Sequence, residues 1–317
     1  MVQAEVIGTI DVANGVGEGP CWDDRSRMLY WVDITGRSVL RLVLDSLSIT
    51  RWSMPDFPAF IVLRERHGAV VGLRDTIMRV ELPPTTFAPL CQLEPDRPAN
   101  RVNEGKVDPS GRLWIGTMQD NLNPDGSERT ITAATGALHR VEANGSFARV
   151  LDGIGLSNTL AWVDGGRTMY FGDSGANRIR RYHLDEHGDI IAAEEFHAAP
   201  PAGFCDGSAI DAEGYLWNAR FAAGRLVRFA PGGRVDCEVE LLVSNPTSCC
   251  FGGSDLRTLF VTSARFALTA KREPARGFPR CAAHCGDRDA QHAICRLTLS
   301  HRPTSGVLAG EWSDHSN

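Results

Sequence analysis

Short apolar runs separated by polar turns make up most of this chain. One run, Leu113-Trp114-Ile115, follows an Asp-x-x-Gly turn at residues 108–111. Aspartate and glycine at these positions suit a tight reversal between two strands. An amphipathic helix would show apolar residues at a spacing of about 3.6, and no such run of useful length is present. The pattern therefore predicts an all-β protein.

The same turn and strand recur six times along the chain. The copies begin at Asp24, Glu65, Asp108, Asp164, Asp211 and Ser254. Subtraction of successive positions gives spacings of 41, 43, 56, 47 and 43 residues. Each copy is followed by a second signature (apolar, any, Arg, apolar), whose arginines are Arg41, Arg79, Arg140, Arg181, Arg228 and Arg296. Repeats of roughly 40–50 residues that are rich in short strands indicate propeller blades.

We therefore predict a six-bladed β-propeller with a central channel, formed as a single domain by residues 1–300. The predicted blades are residues 16–50, 55–95, 100–150, 153–197, 202–243 and 245–300. A strand over residues 4–10 is expected to complete the last blade and close the ring, which removes exposed sheet edges. Two insertions, 119–136 and 267–292, interrupt the third and sixth blades. Residues 301–317 are predicted to form a polar tail that need not be ordered.

The composition narrows the classes of function. Of the 317 residues, 43% are hydrophobic and 23% are charged, as in ordinary globular domains. A net charge of −6 does not favour nucleic acid as a partner. The N-terminus shows no signal peptide, and no apolar run is long enough to span a membrane. The prediction is a cytoplasmic protein without a membrane partner.

The nine cysteines have irregular spacing, which indicates reduced thiols and agrees with a cytoplasmic location. One subset could gather a zinc ion: Cys281, His284, Cys285, His292 and Cys295. Their spacing matches no zinc module, and a surface loop that contains cysteine and histidine is the favoured interpretation.

Six residues occupy equivalent places shortly before the six turns. They are Glu18, Phe60, Asn103, Asn158, Asp206 and Ser248. In equivalent blades these positions meet at one end of the channel, each on an innermost strand. Each polar member also has an ordinary alternative role as a turn residue or a loop cap. Taken together in one register, the carboxylates and amides predict a set of hard oxygen ligands for a divalent cation.

Several motifs resemble those of the regucalcin/gluconolactonase family, also called senescence marker protein. They are Glu18-Gly19-Pro20, Arg101-Val102-Asn103-Glu104-Gly105-Lys106-Val107-Asp108, Gly116-Thr117-Met118, Leu156-Ser157-Asn158, Asp173-Ser174 and Asp206-Gly207. The resemblance extends over residues 5–265. It implies a six-bladed propeller that holds one divalent metal ion in its channel and hydrolyses sugar lactones to aldonic acids.

The resemblance also implies roles for individual residues. Glu18, Asn158 and Asp206 are expected to be the metal ligands. Arg101 and Asn103 are expected to hold substrate hydroxyl groups, with Asn103 beside the metal ion. An oxygen-rich ligand set admits calcium, zinc, manganese, magnesium or iron(II).

One position departs from the family pattern. Some members carry a sugar-binding carboxylate in the loop after the Gly-Thr-Met motif, where this chain has Asn121 next to Asp120. We expect Asn121 to bind substrate, with a changed choice of hydroxyl groups.

The predicted reaction is the hydrolysis of a sugar lactone whose carbonyl group is polarised by the cation. Asp206 is the candidate general base that accepts a proton from the attacking water. Ser174 does not lie in a Gly-x-Ser-x-Gly nucleophile elbow, so no serine nucleophile is expected.

Three other functions are open on the sequence alone. The same metal propeller could hydrolyse phosphotriesters or non-sugar lactones, which an aromatic rim at Phe57 and Phe60 would favour. The chain could be a calcium-binding regulator without catalysis, although Arg101 and Asn103 beside the ligands favour an enzyme. It could also be an interaction propeller, which would bind no metal ion.

Overall fold

The computed structural model of this protein describes residues 4–84, 86–197, 200–265, 293–299 and Trp312. A short 3₁₀ helix covers Asp164–Gly166. Within the described ranges, no helix combines the length and the apolar character needed to cross a membrane. The strands in chain order are β1 (Ala4–Asp11), β2 (Gly17–Asp23), β3 (Met28–Asp33), β4 (Ser38–Val43), β5 (Ser48–Ser53), β6 (Phe60–Leu63), β7 (Ala69–Gly72), β8 (Thr76–Val80), β9 (Phe87–Gln92), β10 (Asn100–Val107), β11 (Leu113–Gln119), β12 (Gly136–Val141), β13 (Phe147–Ile154), β14 (Ser157–Val163), β15 (Thr168–Asp173), β16 (Arg178–Leu184), β17 (Ile190–Glu195), β18 (Phe204–Ile210), β19 (Leu216–Phe221), β20 (Arg225–Phe229), β21 (Val235–Glu240), β22 (Pro246–Gly252), β23 (Thr258–Ser263) and β24 (Ala293–Leu299).

In the described part of the chain, these strands form six antiparallel sheets of four strands, which are the blades of a propeller. Five sheets contain four successive strands each, from β2–β5 through to β18–β21. The last sheet joins β22, β23 and β24 to β1, so the N-terminal strand closes the ring. The innermost strands β2, β6, β10, β14, β18 and β22 contact one another in a closed circle. The prediction of an all-β, six-bladed propeller is confirmed.

The repeated aspartate ties its turn to the strand that follows. Asp108 Oδ1 accepts backbone N–H hydrogen bonds from Ser110 at 2.9 Å and Arg112 at 3.0 Å. Its Oδ2 accepts a hydrogen bond from Trp114 Nε1 at 3.0 Å. Asp211 repeats these contacts with the residues two, four and six positions later, each at 3.0 Å. In these copies the carboxylate both closes the turn and satisfies a buried indole N–H.

The repeated arginine joins neighbouring blades. Three of the arginines donate a hydrogen bond to a backbone carbonyl in the next blade: Arg79 to Ala143 (2.7 Å), Arg140 to His187 (3.0 Å) and Arg181 to Pro231 (2.8 Å). Each acceptor lies between the third and fourth strands of its blade. The guanidinium group suits this task because it carries several donors at the end of a long side chain.

Apolar side chains fill the spaces between adjacent blades. Trp31, Trp114 and Trp217 are fully buried, and each belongs to a cluster that combines residues of two neighbouring blades. Each sheet thus buries its faces against the neighbouring sheets, and these apolar contacts hold the ring together.

Trp312 lies within the segment that the sequence predicts as a polar tail, yet it is 1% exposed. Its backbone N–H donates to the carbonyl of Leu63 at 3.2 Å, and it forms a parallel β-bridge with Arg64. This residue therefore packs on the second blade, which the sequence did not indicate. The predictions for the rest of that tail, and for the cysteines and histidines of the 267–292 insertion, fall outside the described residues.

The second blade places an aromatic ring where other blades begin with a polar residue. Phe60 is fully buried at the start of β6. A β-carbon on Gly72 or Gly105 would lie 2.2 Å or 2.3 Å from atoms of its ring. Both glycines are therefore required by the close approach of the Phe60 side chain.

We expect Gly105→Ala to lower the free energy of unfolding by about 1–3 kcal/mol, because the added methyl group overlaps a ring that is packed on all sides. Urea denaturation followed by circular dichroism measures the change. Gly232→Ala is the matched control, since a β-carbon there meets none of the described atoms within 4 Å. It should change the free energy by less than about 0.5 kcal/mol. Equal effects in the two variants would contradict the contact.

Candidate active site

A β-bulge interrupts the innermost strand of five blades in the described chain, and the second blade lacks one in its described pairing. The register shifts lie at Glu18/Cys21, Val102/Glu104, Asn158/Ala161, Cys205/Ser208 and Pro246/Cys249. Each polar residue of the predicted register lies within or at the edge of one of these bulges. A bulge re-aims the side chains beside it, and it is a common device next to active sites.

Strands β10 and β14 bring Asn103 and Asn158 side by side. Asn103 Nδ2 donates to the carbonyl of Ser157 at 2.8 Å and lies 3.4 Å from Asn158 Oδ1. Asn158 Nδ2 donates to Ser174 Oγ at 2.8 Å, and this hydroxyl donates onward to the carbonyl of Cys205. With its nitrogen held in this way, the amide of Asn158 presents its oxygen towards Asn103.

Three carboxylates influence one another within the ring of innermost strands. Burial raises the pKa of Glu18 to about 8, and the Glu104 carboxylate contributes to the increase. Burial, together with the charges of Glu18 and Glu104, raises the pKa of Asp206 well above its ordinary value. Burial also raises the pKa of Glu104. In the metal-free protein, ionisation of all three groups is therefore unfavourable.

Glu104 and Lys106 are site residues to which the sequence analysis assigned no role. They lie two positions apart on β10 and share one face of the strand. Lys106 Nζ donates to the backbone carbonyl of Ser208, which lies on β18. Its charge lowers the pKa of both Glu18 and Glu104, against the larger effect of burial. Alternating charged residues on a predicted innermost strand are the signal that could have identified them.

The donor set fits a hard divalent cation. Glu18, Glu104 and Asp206 supply buried carboxylate oxygen atoms, which are hard ligands, and the charge of Lys106 acts on Glu18 and Glu104. No three His, Cys, Asp or Glu side chains among the described residues are grouped so that they could hold a metal ion by themselves. The candidate ligand set therefore needs the amide oxygen of Asn158 in addition to its carboxylates.

Arg101 and Asn121, both predicted to bind substrate, are in direct contact. Arg101 Nε donates to Asn121 Oδ1 at 2.9 Å, and Arg101 Nη1 donates to the carbonyl of Val102 at 2.8 Å. Burial lowers the pKa of Arg101 to about 10, so the guanidinium stays charged at neutral pH. Asp120 lies 3.9 Å from Arg101 and forms an ion pair with Arg74.

Phe57 and Phe60 do not form an aromatic rim. Phe57 is 2% exposed and Phe60 is fully buried. The guanidinium carbons of Arg37 and Arg74 lie 4.3 Å and 4.7 Å from the centre of the Phe57 ring. Cation–π contacts of this kind cover the aromatic face with charge. The feature that would favour an apolar substrate is therefore missing at these two positions.

A known protein family matches most of this chain. The SMP-30/Gluconolactonase/LRE-like region matches residues 16–265. The chain belongs to this family. The match contains all of the candidate site residues and ends where the described part of the sixth blade is interrupted. The family resemblance inferred from the sequence motifs is confirmed.

The matches to individual relatives cover most of both chains. The 6-deoxy-6-sulfogluconolactonase of Pseudomonas putida is 33% identical over 253 residues, which are 79% of this chain and 84% of the relative. The L-arabinolactonase of Azospirillum brasilense is 31% identical over 262 residues, which are 82% and 84% of the two chains. The crystal structure of regucalcin, a calcium-binding protein from Agrobacterium tumefaciens, is 27% identical with a TM-score of 0.79, and the match covers 97% of this chain and 96% of that one.

We expect Glu104→Gln to raise the unfolding midpoint of the metal-free protein at pH 9 by about 2–4 °C, or about 1 kcal/mol. The physical reason is that carboxylates with a raised pKa bind more protons in the folded protein than in the unfolded one, so stability falls as pH rises and they ionise. Removing one of the three charges relieves that repulsion. Thermal unfolding in the presence of a chelator measures the change.

Glu186→Gln is the control for this prediction, because the Glu186 side chain is 86% exposed. It should leave the midpoint unchanged. A lower midpoint for Glu104→Gln would show that the carboxylates do not repel one another in the folded protein.

Proposed function

We propose that this protein is a metal-dependent sugar lactonase that hydrolyses an aldonolactone to the aldonic acid. The proposal is supported by the charge of Glu18, which contributes to the raised pKa of Asp206, and by the hydrogen bonds that connect Asn158 through Ser174 to the carbonyl of Cys205, the residue before Asp206. Glu18, Asn158 and Asp206 belong to three different blades. Membership of the family, and the lactonase activities for which two relatives are named, support the class of reaction.

In this proposal Glu18, Asn158 and Asp206 hold one divalent cation. When bound, the cation supplies Lewis-acid polarisation of the lactone carbonyl group. Calcium is the first candidate, because the ligands are all oxygen atoms and the A. tumefaciens regucalcin is a calcium-binding protein. Zinc, manganese, magnesium and iron(II) are the other ions to be compared.

Asp206 has the role of general base. A water oxygen attacks the carbonyl carbon while Asp206 accepts one of the water protons. The bond between the carbonyl carbon and the ring oxygen then breaks, and the ring oxygen takes the proton from Asp206. Proton transfer by a positioned side chain typically contributes a factor of about 10²–10⁴ in rate.

Arg101, Asn103 and Asn121 bind the sugar in this proposal. Arg101 offers several fixed N–H donors, and its contact with Asn121 Oδ1 turns the Asn121 amide so that its NH₂ group faces away from the guanidinium. A carboxylate at this position could only accept hydrogen bonds when ionised, whereas the amide donates them. The preferred hydroxyl pattern should therefore differ from that of relatives with a carboxylate here.

A calcium-binding regulator without catalysis is the second candidate, which the calcium-binding A. tumefaciens relative favours. The cytoplasmic location and the absence of nucleic-acid and membrane partners stay predictions from the sequence.

The deciding experiment is a panel of pentonolactones and hexonolactones, assayed by acid release with chelated protein and with each metal ion added back. We expect metal-dependent hydrolysis, which chelation reduces to the spontaneous rate. Far-UV circular dichroism should stay unchanged on chelation, because the blades bury their apolar faces without the ion. Metal binding without hydrolysis of any lactone would instead identify a regulator.

The variants Asp206→Asn and Glu18→Gln test whether Asp206 acts as general base in addition to binding the metal ion. Asparagine keeps an oxygen for the cation but loses basicity, so kcat should fall by about 10²–10⁴ and saturating metal should not restore it. Glu18→Gln should weaken metal binding and recover part of its rate at high metal concentration. The measurement is kcat for both variants across a metal titration. Recovery of both variants to similar rates would remove Asp206 from the role of base.

A further inference from the structure

Thr159, which follows the candidate ligand Asn158, has an unusual backbone conformation. Its φ of 51° lies in the left-handed region. The branched side chain of threonine makes this region unfavourable, and such residues are retained where the surrounding structure requires them. Thr159 is also fully buried, so solvent does not relieve the strain.

In the first blade, a glycine occupies the corresponding left-handed position. Gly19 follows the candidate ligand Glu18 and has a φ of 53°. Both residues lie in bulges of the same length, between Glu18 and Cys21 and between Asn158 and Ala161. Glycine adopts this conformation without a steric cost. The bulge alone therefore does not explain a threonine side chain in the fourth blade.

The hydroxyl group of Thr159 reaches the strand that carries the other ligand. Thr159 Oγ1 donates to the backbone carbonyl of Asp206 at 2.5 Å. The same carbonyl accepts a hydrogen bond from Asn218 Nδ2 at 2.8 Å. Residues 206 and 207 have no register partner on β19, because the bulge between Cys205 and Ser208 takes them out of the pairing. The two side chains thus satisfy a carbonyl group of the bulge.

The hydroxyl group also accepts hydrogen bonds from two buried neighbours. Thr159 Oγ1 accepts hydrogen bonds from Asn218 Nδ2 at 3.1 Å and from Ser208 Oγ at 3.3 Å. Asn218 Nδ2 also lies 2.9 Å from Ser208 Oγ, so its two hydrogen atoms are shared among three acceptors. Ser208 and Asn218 are completely buried, so this network is closed to solvent.

The neighbouring strand leaves room for the threonine side chain. Gly172 pairs with Asn158, and a β-carbon on Gly172 would lie 2.8 Å from both Cβ and Oγ1 of Thr159. The lack of a side chain at Gly172 therefore leaves the space that the Thr159 side chain occupies.

We infer that Thr159 is a positioning residue, whose strained conformation is retained because its hydroxyl group sets the place of Asp206 relative to Asn158. The inference rests on the proposed function, in which these two residues bind the cation. It extends that function to a residue that is not itself a proposed ligand of the cation or the substrate.

The test compares Thr159→Gly, Thr159→Ser and wild-type full-length protein after chelation. Titration calorimetry with Mn²⁺ measures the dissociation constant, and near-UV circular dichroism checks that each variant is folded. Glycine suits the left-handed conformation but lacks the hydroxyl group, so we expect Mn²⁺ to bind roughly tenfold more weakly, the effect of about one lost hydrogen bond. Thr159→Ser keeps the hydroxyl group and should bind Mn²⁺ within about threefold of wild type.

Arg27→Gly is the matched control, since Arg27 is exposed and has a φ of 55° in a turn between β2 and β3. It should leave the Mn²⁺ dissociation constant unchanged. Wild-type affinity in Thr159→Gly, or a loss in Thr159→Ser as large as that in Thr159→Gly, would overturn the inference and leave the proposed function intact. A wild-type protein that neither binds Mn²⁺ nor hydrolyses any lactone would remove the proposed function and this inference with it.

Discussion

Closure of the ring by β1 and β24 is the constraint on which the rest of the structure depends. The two strands pair from Ala4 with Leu299 to Asp11 with Ala293. The candidate ligands Glu18, Asn158 and Asp206 lie on β2, β14 and β18, so no single blade contains the site. Their separations follow from the number of blades and from the packing between neighbouring sheets. The repeated arginines maintain that packing where they donate to carbonyl groups of the next blade.

The bulges interrupt the regular pairing of strands, and by doing so they re-aim polar side chains. Each one removes backbone groups from the ladder, and unpaired buried groups are costly. In the fifth blade the cost is offset by side chains, because Thr159 of the fourth blade and Asn218 both donate to the carbonyl of Asp206. The second blade avoids the cost and packs Phe60 in the corresponding place. Polar chemistry and irregular backbone therefore occur in the same blades.

Buried negative charge explains why this region needs a counter-ion. Glu18, Glu104 and Asp206 all have raised pKa values, because the nearby positive charges offset the effect of burial only in part. Such an arrangement lowers stability in the metal-free protein and favours the binding of a cation. Natural binding sites often retain such a loss of stability. Charges that repel one another in the empty site are stabilised when the ligand binds.

The repeat, the all-β class and the closing strand could be predicted from the amino-acid sequence, as could the shared register of Glu18, Asn158 and Asp206. Turn chemistry and strand periodicity depend on residues that are close along the chain, and the closing strand follows from the need to pair the exposed edges of a ring. The folded structure was needed to show that Lys106 reaches β18 and that Thr159 connects two candidate ligand strands. Such contacts link positions about 50 to 100 residues apart. Their geometry depends on β-bulges, which the local sequence pattern does not predict.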